Sequence, residues 1–419
     1  MREREKISGS IDWITVLIYA ILVTLGWFSI FTASAGEDVT SLFDLSTRYG
    51  KQVLWIGLAV TLAIIIMVID AKFFSTFSFV FYFGMLVLLV AVLLFGSVVA
   101  GSKSWFKIGG FAIQPAEFAK FATALAMAKY LSILNIDMGK LKTKLLSLTI
   151  LTVPALLILL QNDTGSALVY FSFVIVLFRE GFSGLLLIVA IIMAVLFLVT
   201  LLFSEVYVIA ALITLTILMI LLFRTIRRHW KPTLAILVLS TAFVFSVNYS
   251  FEKVLEPHHK KRINVLLGLE KDIRGAGYNV NQSKIAIGSG GFSGKGFRQG
   301  VLTRYNFVPE QSTDFIFCTV GEEWGFIGVT IVILLFLALL IRIVVLAERQ
   351  RSKFSRIYGY GVASILFFHF AINIGMTVGL APVVGIPLPF FSYGGSSLWA
   401  FTVLLFIFIK QDANRLNVL

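Results

Sequence analysis

Cysteine is nearly absent. A single thiol in 419 residues excludes an internal disulfide, and Cys318, lying inside an apolar run, reads as a packed core residue. Histidine is almost as scarce, and His229, His258, His259 and His369 show no ligand spacing with Cys318 or with acids, so no metal centre is read. Charge is sparse as well: only 14% of residues are charged while 58% are hydrophobic. With a mean hydropathy of +0.95 the chain cannot be a soluble globule and demands several membrane-spanning helices. The formal charge of +13 does not call for nucleic acid, because the basic residues fall in short loops between apolar runs.

What is present is a series of such runs, at 13–33, 52–69, 73–95, 116–134, 145–160, 166–178, 183–203, 206–223, 234–250, 315–341, 357–378 and 398–410. Since about 20 apolar residues cross a bilayer, they predict about 12 transmembrane helices in an all-α, polytopic membrane bundle, with both termini on one side. The first run is long enough to span and no small-residue cleavage site closes it, so it is not expected to be a cleaved signal. Basic clusters at Arg2, Arg4 and Lys6, at Lys140, Lys142 and Lys144, at Arg224, Arg227, Arg228 and Lys231, and at Arg349, Arg351, Lys353 and Arg356 all fall on that same side. The positive-inside rule makes it the cytoplasm.

The opposite side receives 34–51, 97–115, the long loop 251–313, and 379–397. The long loop holds Lys253, Lys260, Lys261, Arg262, Lys271, Arg274, Lys284, Lys295, Arg298 and Arg304 against only Glu252, Glu256, Glu270, Asp272 and Glu310. Such a surface beside a membrane calls for an anionic partner, either bulk lipid or a phosphate-bearing substrate. Gly288, Gly290, Gly291, Gly294 and Gly296 would let backbone amides cradle a phosphate while Lys284, Lys295 and Arg298 supply charge. A flexible glycine-rich loop is the plainer reading, and a nucleotide P-loop is excluded by Gly296 standing where Ser or Thr is required.

Four acidic positions lie at or within apolar runs. Asp314 sits where the loop ends and a helix begins, either as a functional carboxylate or as a helix cap. Glu117, one turn before Lys120 and just after Pro115 at a helix start, forms either a structural salt bridge or catalytic support. Glu322 and Glu323 remain open between proton relay and buried anchor. The stretch Ala381–Ser397, with Pro382, Pro387 and Pro389, reads as a re-entrant loop lining a cavity.

Three separated motifs, QPAEFAK at Gln114–Lys120, the stretch Gly275–Gly328 with IAIGSGGFSGKG, VPEQSTDFIF and GEEWGFIG, and NIGMTVGLAPVVGIPLPFFSYGGSS at Asn373–Ser397, resemble the SEDS family (shape, elongation, division, sporulation). Within it the Lys284 to Gly296 stretch is closest to the RodA-like branch. The resemblance implies a single SEDS-fold membrane domain over 1–419, with ten family-like helices, an inserted hairpin at 206–250 and an extracytoplasmic active-site loop at 251–313. It implies a peptidoglycan glycosyltransferase polymerising lipid II on the outer face of the bacterial inner membrane during elongation and cell-shape control. Asp314 would be the general base and undecaprenyl diphosphate the leaving group. Lys284, Ser289, Lys295, Arg298 and Arg304 would meet the diphosphate, Glu117 and Lys120 would line the central cavity, Glu310 and Thr313 would flank the base, and Ser392, Tyr393 and Ser396 would complete the lining.

The partners implied are a class B penicillin-binding protein, a monofunctional transpeptidase, and the elongation machinery. No cofactor is firmly implied, and a divalent cation, Mg or Mn, at the diphosphate is left open. The chain departs from the family pattern at Ser104-Trp105, at Asn162 before Asp163, and at Ser312. A lipid II flippase is the alternative from another class, because broken helices and buried acids also suit a transporter. The concentration of polar motifs at one surface rather than at the midplane, and the lack of inverted repeats among them, argue against it.

Overall fold

Polar caps stand at the ends of the apolar runs and decide where the helices start. Asp12 accepts from the Thr15 amide at 3.1 Å, Thr47 from the Gly50 amide at 3.2 Å, and Asp163 from the Ser166 amide at 3.0 Å. Pro115 occupies a first-turn position where its missing N–H is not needed.

The computed structural model describes residues 11–35, 41–99, 101–108, 111–134, 136–228, 230–249 and 276–416. The basic residues expected at 2–6 and at 253–274, and His229, His258 and His259, lie outside the described residues. In chain order the helices are α1 (Trp13–Ser34), α2 (Arg48–Val68), α3 (Ser78–Phe95), α4 (Pro115–Leu131), α5 (Leu141–Leu160) and α6 (Thr164–Arg179). They continue as α7 (Gly184–Leu202), α8 (Glu205–Leu222), α9 (Trp230–Tyr249), α10 (Ala276–Ser289), α11 (Ile316–Glu348), α12 (Lys353–Thr377) and α13 (Gly395–Ala413). Among the described residues nine of these helices are long and apolar enough to cross a membrane, and the chain is an integral membrane protein of helical architecture.

The 97–115 connection contains a small antiparallel sheet. Its strands β1 (Ser97–Val99), β2 (Ser102–Ile108) and β3 (Phe111–Ile113) run in sequence order, with Val98 opposite Lys103 and Lys107 opposite Ala112. β-Branched and aromatic residues in short alternation are what carry it.

The described residues form two compact units, Met1–Phe182 with Tyr278–Leu419, and Ser183–Gly277. In the smaller unit α8 and α9 lie against each other, and Asn248 donates to Glu205 at 2.8 Å. In the larger, α4 is buried almost all round. Its alanines at 116, 119, 122, 124, 126 and 128 let α3, α12 and α13 approach closely, so packing replaces a hydrophobic drive that lipid does not supply. Gly361 of α12 faces Ala124 for the same reason; a β-carbon there would lie 3.3 Å from that methyl.

α11 is longer than a crossing requires, and it is broken. At Gly325 the backbone takes φ 60°, ψ −155°, separating a short upper segment from the membrane-crossing length below it. At the far end from Asp314, ion pairs tie the bundle together: Asp12 with Arg342, and Asp412 with Arg349. Burial pushes the Asp12 carboxyl up, yet the hydrogen bonds from Arg342 and Thr15 outweigh it and hold the group below the usual carboxylate range.

Candidate active site

The turn before α11 presents Asp314. Glu310 adopts a left-handed conformation (φ 56°), and its carbonyl accepts from the amides of Thr313 at 3.1 Å and Phe315 at 3.2 Å. The Thr313 hydroxyl donates to the Glu310 carboxylate at 3.0 Å, so these two residues build the turn that carries Asp314. Phe315, one residue later, takes the cap position of α11.

The loop between α12 and α13 forms the opposing wall. Ser392 accepts from the Leu388 amide at 2.9 Å and donates to the Thr313 carbonyl at 2.6 Å, while the Tyr393 amide donates to the Ser312 carbonyl at 2.9 Å. Asn373 donates to two carbonyls at once, Asp314 at 2.9 Å and Ile386 at 2.8 Å. A β-carbon on Gly385 would stand 3.4 Å from the Asp314 carboxylate, so this glycine keeps the wall against the acid bare. The loop itself is pressed between helices: β-carbons at Gly26 and Gly165 would come within 2.6 Å of the Phe391 and Val384 carbonyls. Protein cover of this kind is what permits proline-rich, non-helical backbone here.

Arg48 joins the wall from α2. It donates to the Ser312 hydroxyl at 2.6 Å and lies over the Tyr393 ring. Burial pushes the Tyr393 phenol above its usual range, with a bond to Trp55 and the Arg48 charge pulling the other way, so it stays a neutral hydroxyl. A cavity of about 370 Å³, bounded by Arg48, Asn306, Pro309, Glu310 and Gln311, opens beside the turn.

Beneath the loop lies a buried polar chain. Lys120 is 1% exposed and donates to Glu117 at 2.8 Å and to His369 at 2.9 Å; His369 in turn reaches the Pro387 carbonyl at 3.1 Å. Beside it, Gln114 donates to Asp163 at 2.6 Å, and Ser396 bridges the Gln114 amide to the Ala112 carbonyl.

The basic residues separate into two groups. Lys284, exposed on α10, reaches past Gly379 at the root of the wall loop. α10 is fixed there by Ala286 packing with Val308, Phe315 and Cys318, which is buried as its apolar setting suggests, and by Ser283 bonding the Thr377 carbonyl. Ser289 caps its own helix through the Ala286 carbonyl, and Arg304 is exposed over the Tyr305 ring.

Lys295 and the Arg298 backbone bond to the α11 acids, and the Arg298 guanidinium lies over the Phe31 ring. Lys295 pairs with Glu322 at 2.9 Å, and the Arg298 amide donates to Glu323 at 3.0 Å. Glu322 lies eight residues past Asp314, within the upper segment of α11. The glycine-rich stretch is docked on the α11 break rather than left open as a cradle: β-carbons at Gly290 and Gly294 would sit 2.0 Å from the Gly321 and Glu323 carbonyls. Glu322, which also accepts from the Leu302 and Thr303 amides and the Thr303 hydroxyl, is an anchor, not a relay.

Three contributors were not singled out by sequence reasoning. Arg48 gave no signal in a short polar loop. His369 and Asn373 lie four residues apart, hence on one face of α12, and that spacing of polar residues within an apolar helix was the available clue. Among the described residues no group of three His, Cys, Asp or Glu gathers to hold a metal.

The sequence profile of the FtsW/RodA/SpoVE family, described as cell cycle protein, matches residues 12–216 and 208–416. The chain is 31% identical to peptidoglycan glycosyltransferase RodA of Treponema pallidum (strain Nichols), over 97% of its own length and 98% of that protein. It is 31% identical to peptidoglycan glycosyltransferase MrdB of Escherichia coli (strain K12), over 92% and 87% of the two chains. A chain solved in work on the structural coordination of polymerization and crosslinking by a peptidoglycan synthase complex superposes with a TM-score of 0.70 at 25% identity. That superposition covers 97% of this chain and 99% of the other.

Proposed function

The chain belongs to the FtsW/RodA/SpoVE family, and from that premise we propose that it is a peptidoglycan glycosyltransferase that polymerises lipid II, with Asp314 as general base. The acceptor sugar's 4-hydroxyl gives its proton to the Asp314 carboxylate, its oxygen bonds to C1 of the donor sugar, and the bond from C1 to the diphosphate oxygen breaks. The electron pair leaves with undecaprenyl diphosphate, a good leaving group that needs no second carboxylic acid to protonate it, unlike the sugar leaving group of a glycosidase.

The observation that carries this reading is the setting of Asp314. Its carboxylate stands against bare Gly385, its carbonyl is pinned by Asn373, and Arg48 and Lys284 reach the same wall loop. Cations there would stabilise charge growing on the diphosphate. Lys295, paired with Glu322 at the α11 break, supports the site's frame instead.

In this reading the Asp314 end faces the outside of the bacterial inner membrane, the basic short loops face the cytoplasm, and the enzyme serves elongation beside a class B penicillin-binding protein. The test is polymerisation of labelled lipid II by purified protein, with and without the transpeptidase, comparing wild type with Asp314→Asn. Strands from wild type and none from the folded mutant support the assignment. Equal activity of the mutant overturns it, and transfer of lipid II across liposomes without strand formation would replace it with the flippase.

A further inference from the structure

We infer that His369 is a positioning residue for this polymerisation chemistry, holding the wall loop, and through it Asp314, in register with the buried Glu117–Lys120 pair. The inference rests on the polymerase reading and concerns the same site.

The loop that backs Asp314 contains Pro382, Pro387 and Pro389, which lack amide donors, and it forms neither helix nor strand. Its C-terminal part is tied by Ser392 and the Tyr393 amide, while the proline-rich part before it is held by its carbonyls. α12 does this with two side chains four residues apart: His369 takes the Pro387 carbonyl and Asn373 takes the adjacent Ile386 carbonyl together with that of Asp314. Two neighbouring carbonyls gripped from one helix face leave the loop little freedom to slide or twist.

The chemistry of the partners fixes the imidazole. A carbonyl only accepts, so Nδ1 carries the proton that reaches Pro387; a lysine ammonium only donates, so Nε2 is the acceptor for Lys120. His369 is fully buried and its ring stands edge-on to Phe401, 4.8 Å between centroids, which sets its orientation. Lys120 lies over the same Phe401 ring. The charged pair, the imidazole, the loop and the Asp314 turn thus form one connected frame. His369 touches no reacting atom; it acts through the loop.

The experiment uses the full chain with its transpeptidase partner and labelled lipid II, comparing wild type, Asp314→Asn, His369→Phe and His369→Gln. His369→Phe fills the space without either hydrogen bond, and kcat is expected to fall at least tenfold with KM within twofold of wild type. His369→Gln, whose amide can accept from Lys120 and donate to Pro387, is expected to recover kcat to within threefold.

Wild-type kcat in a stably folded His369→Phe overturns the inference, as does an effect confined to KM. A stable His369→Gln as inactive as the Phe variant also overturns it, because the imidazole would then be doing proton chemistry. If His369→Phe does not accumulate, the Gln variant decides alone: kcat retained upholds the role, kcat lost in a stable protein rejects it. A silent wild type overturns the polymerase reading and this role with it, whereas an active wild type and an inactive Asp314→Asn leave only the role of His369 at stake.

Discussion

The side-chain amide of Asn373 is shared between the carbonyl of Asp314, at 2.9 Å, and that of Ile386, at 2.8 Å, so one residue joins the acid to the wall behind it. Asn373→Ala removes the donor from two carbonyls in a buried setting, where each unmet group costs about 1–3 kcal/mol. We predict a lower melting temperature in detergent and a loss of at least tenfold in kcat, read by thermal unfolding and the lipid II assay on the same preparation.

Lys120 and Glu117 are both buried, so removing one partner strands a charge. Lys120→Met is predicted to destabilise by about 3–5 kcal/mol, and adding Glu117→Gln should return much of that loss without restoring activity. A double-mutant cycle on unfolding measures it, and additive losses would contradict the pairing.

Lys295 offers a sharp test of frame against substrate contact. Its ammonium belongs to Glu322, so Lys295→Met should lower stability while leaving KM for lipid II within about twofold. A tenfold rise in KM with unchanged stability would place Lys295 on the diphosphate instead.

Glycines at the α11 break should differ in tolerance according to what faces them. Gly290→Ala would drive a methyl to 2.0 Å from the Gly321 carbonyl and is predicted to destabilise by more than about 2 kcal/mol. Gly288→Ala meets open space inside α10 and should be neutral or stabilise by about 0.5–1 kcal/mol. Melting temperatures of the two variants, measured side by side, decide the matter.

Asp12 sets a pH dependence. Its folded pKa lies below the unfolded value, so its contribution to stability is present above the unfolded pKa and is lost as pH falls through the folded one. The melting temperature should therefore drop on acidification below about pH 4, and Asp12→Asn should flatten that slope while lowering stability at neutral pH.

Much of the fold was legible because lipid imposes one rule, apolar helices of sufficient length, and the chain obeys it. Helix ends were less so: α2 begins at Arg48, before its apolar run, because Thr47 caps it, and α11 runs on to Glu348. The sheet at β1–β3 was hidden because three-residue strands leave almost no periodic signal. At the site, Asp314 was singled out by position and Thr313, Glu310 and Ser392 by the family resemblance, and the structure brings all four to one turn and its wall. The glycine-rich stretch misled, because glycines that admit a ligand and glycines that admit a neighbouring backbone look the same in sequence. His369 was passed over since its partners, Lys120 and Pro387, are 249 and 18 residues away and only folding brings them together.

The break at Gly325 turns the upper segment of α11 into a pedestal. Between the break and the acid lie ten residues, nine of them helical (316–324, about 14 Å of rise), so chain length helps set how high Asp314 stands and which way it faces. One residue inserted in that segment would lift the carboxylate by about 1.5 Å and swing it through about 100°. The distance of this acid from the break is thus written as a residue count, and it can be changed only in whole steps.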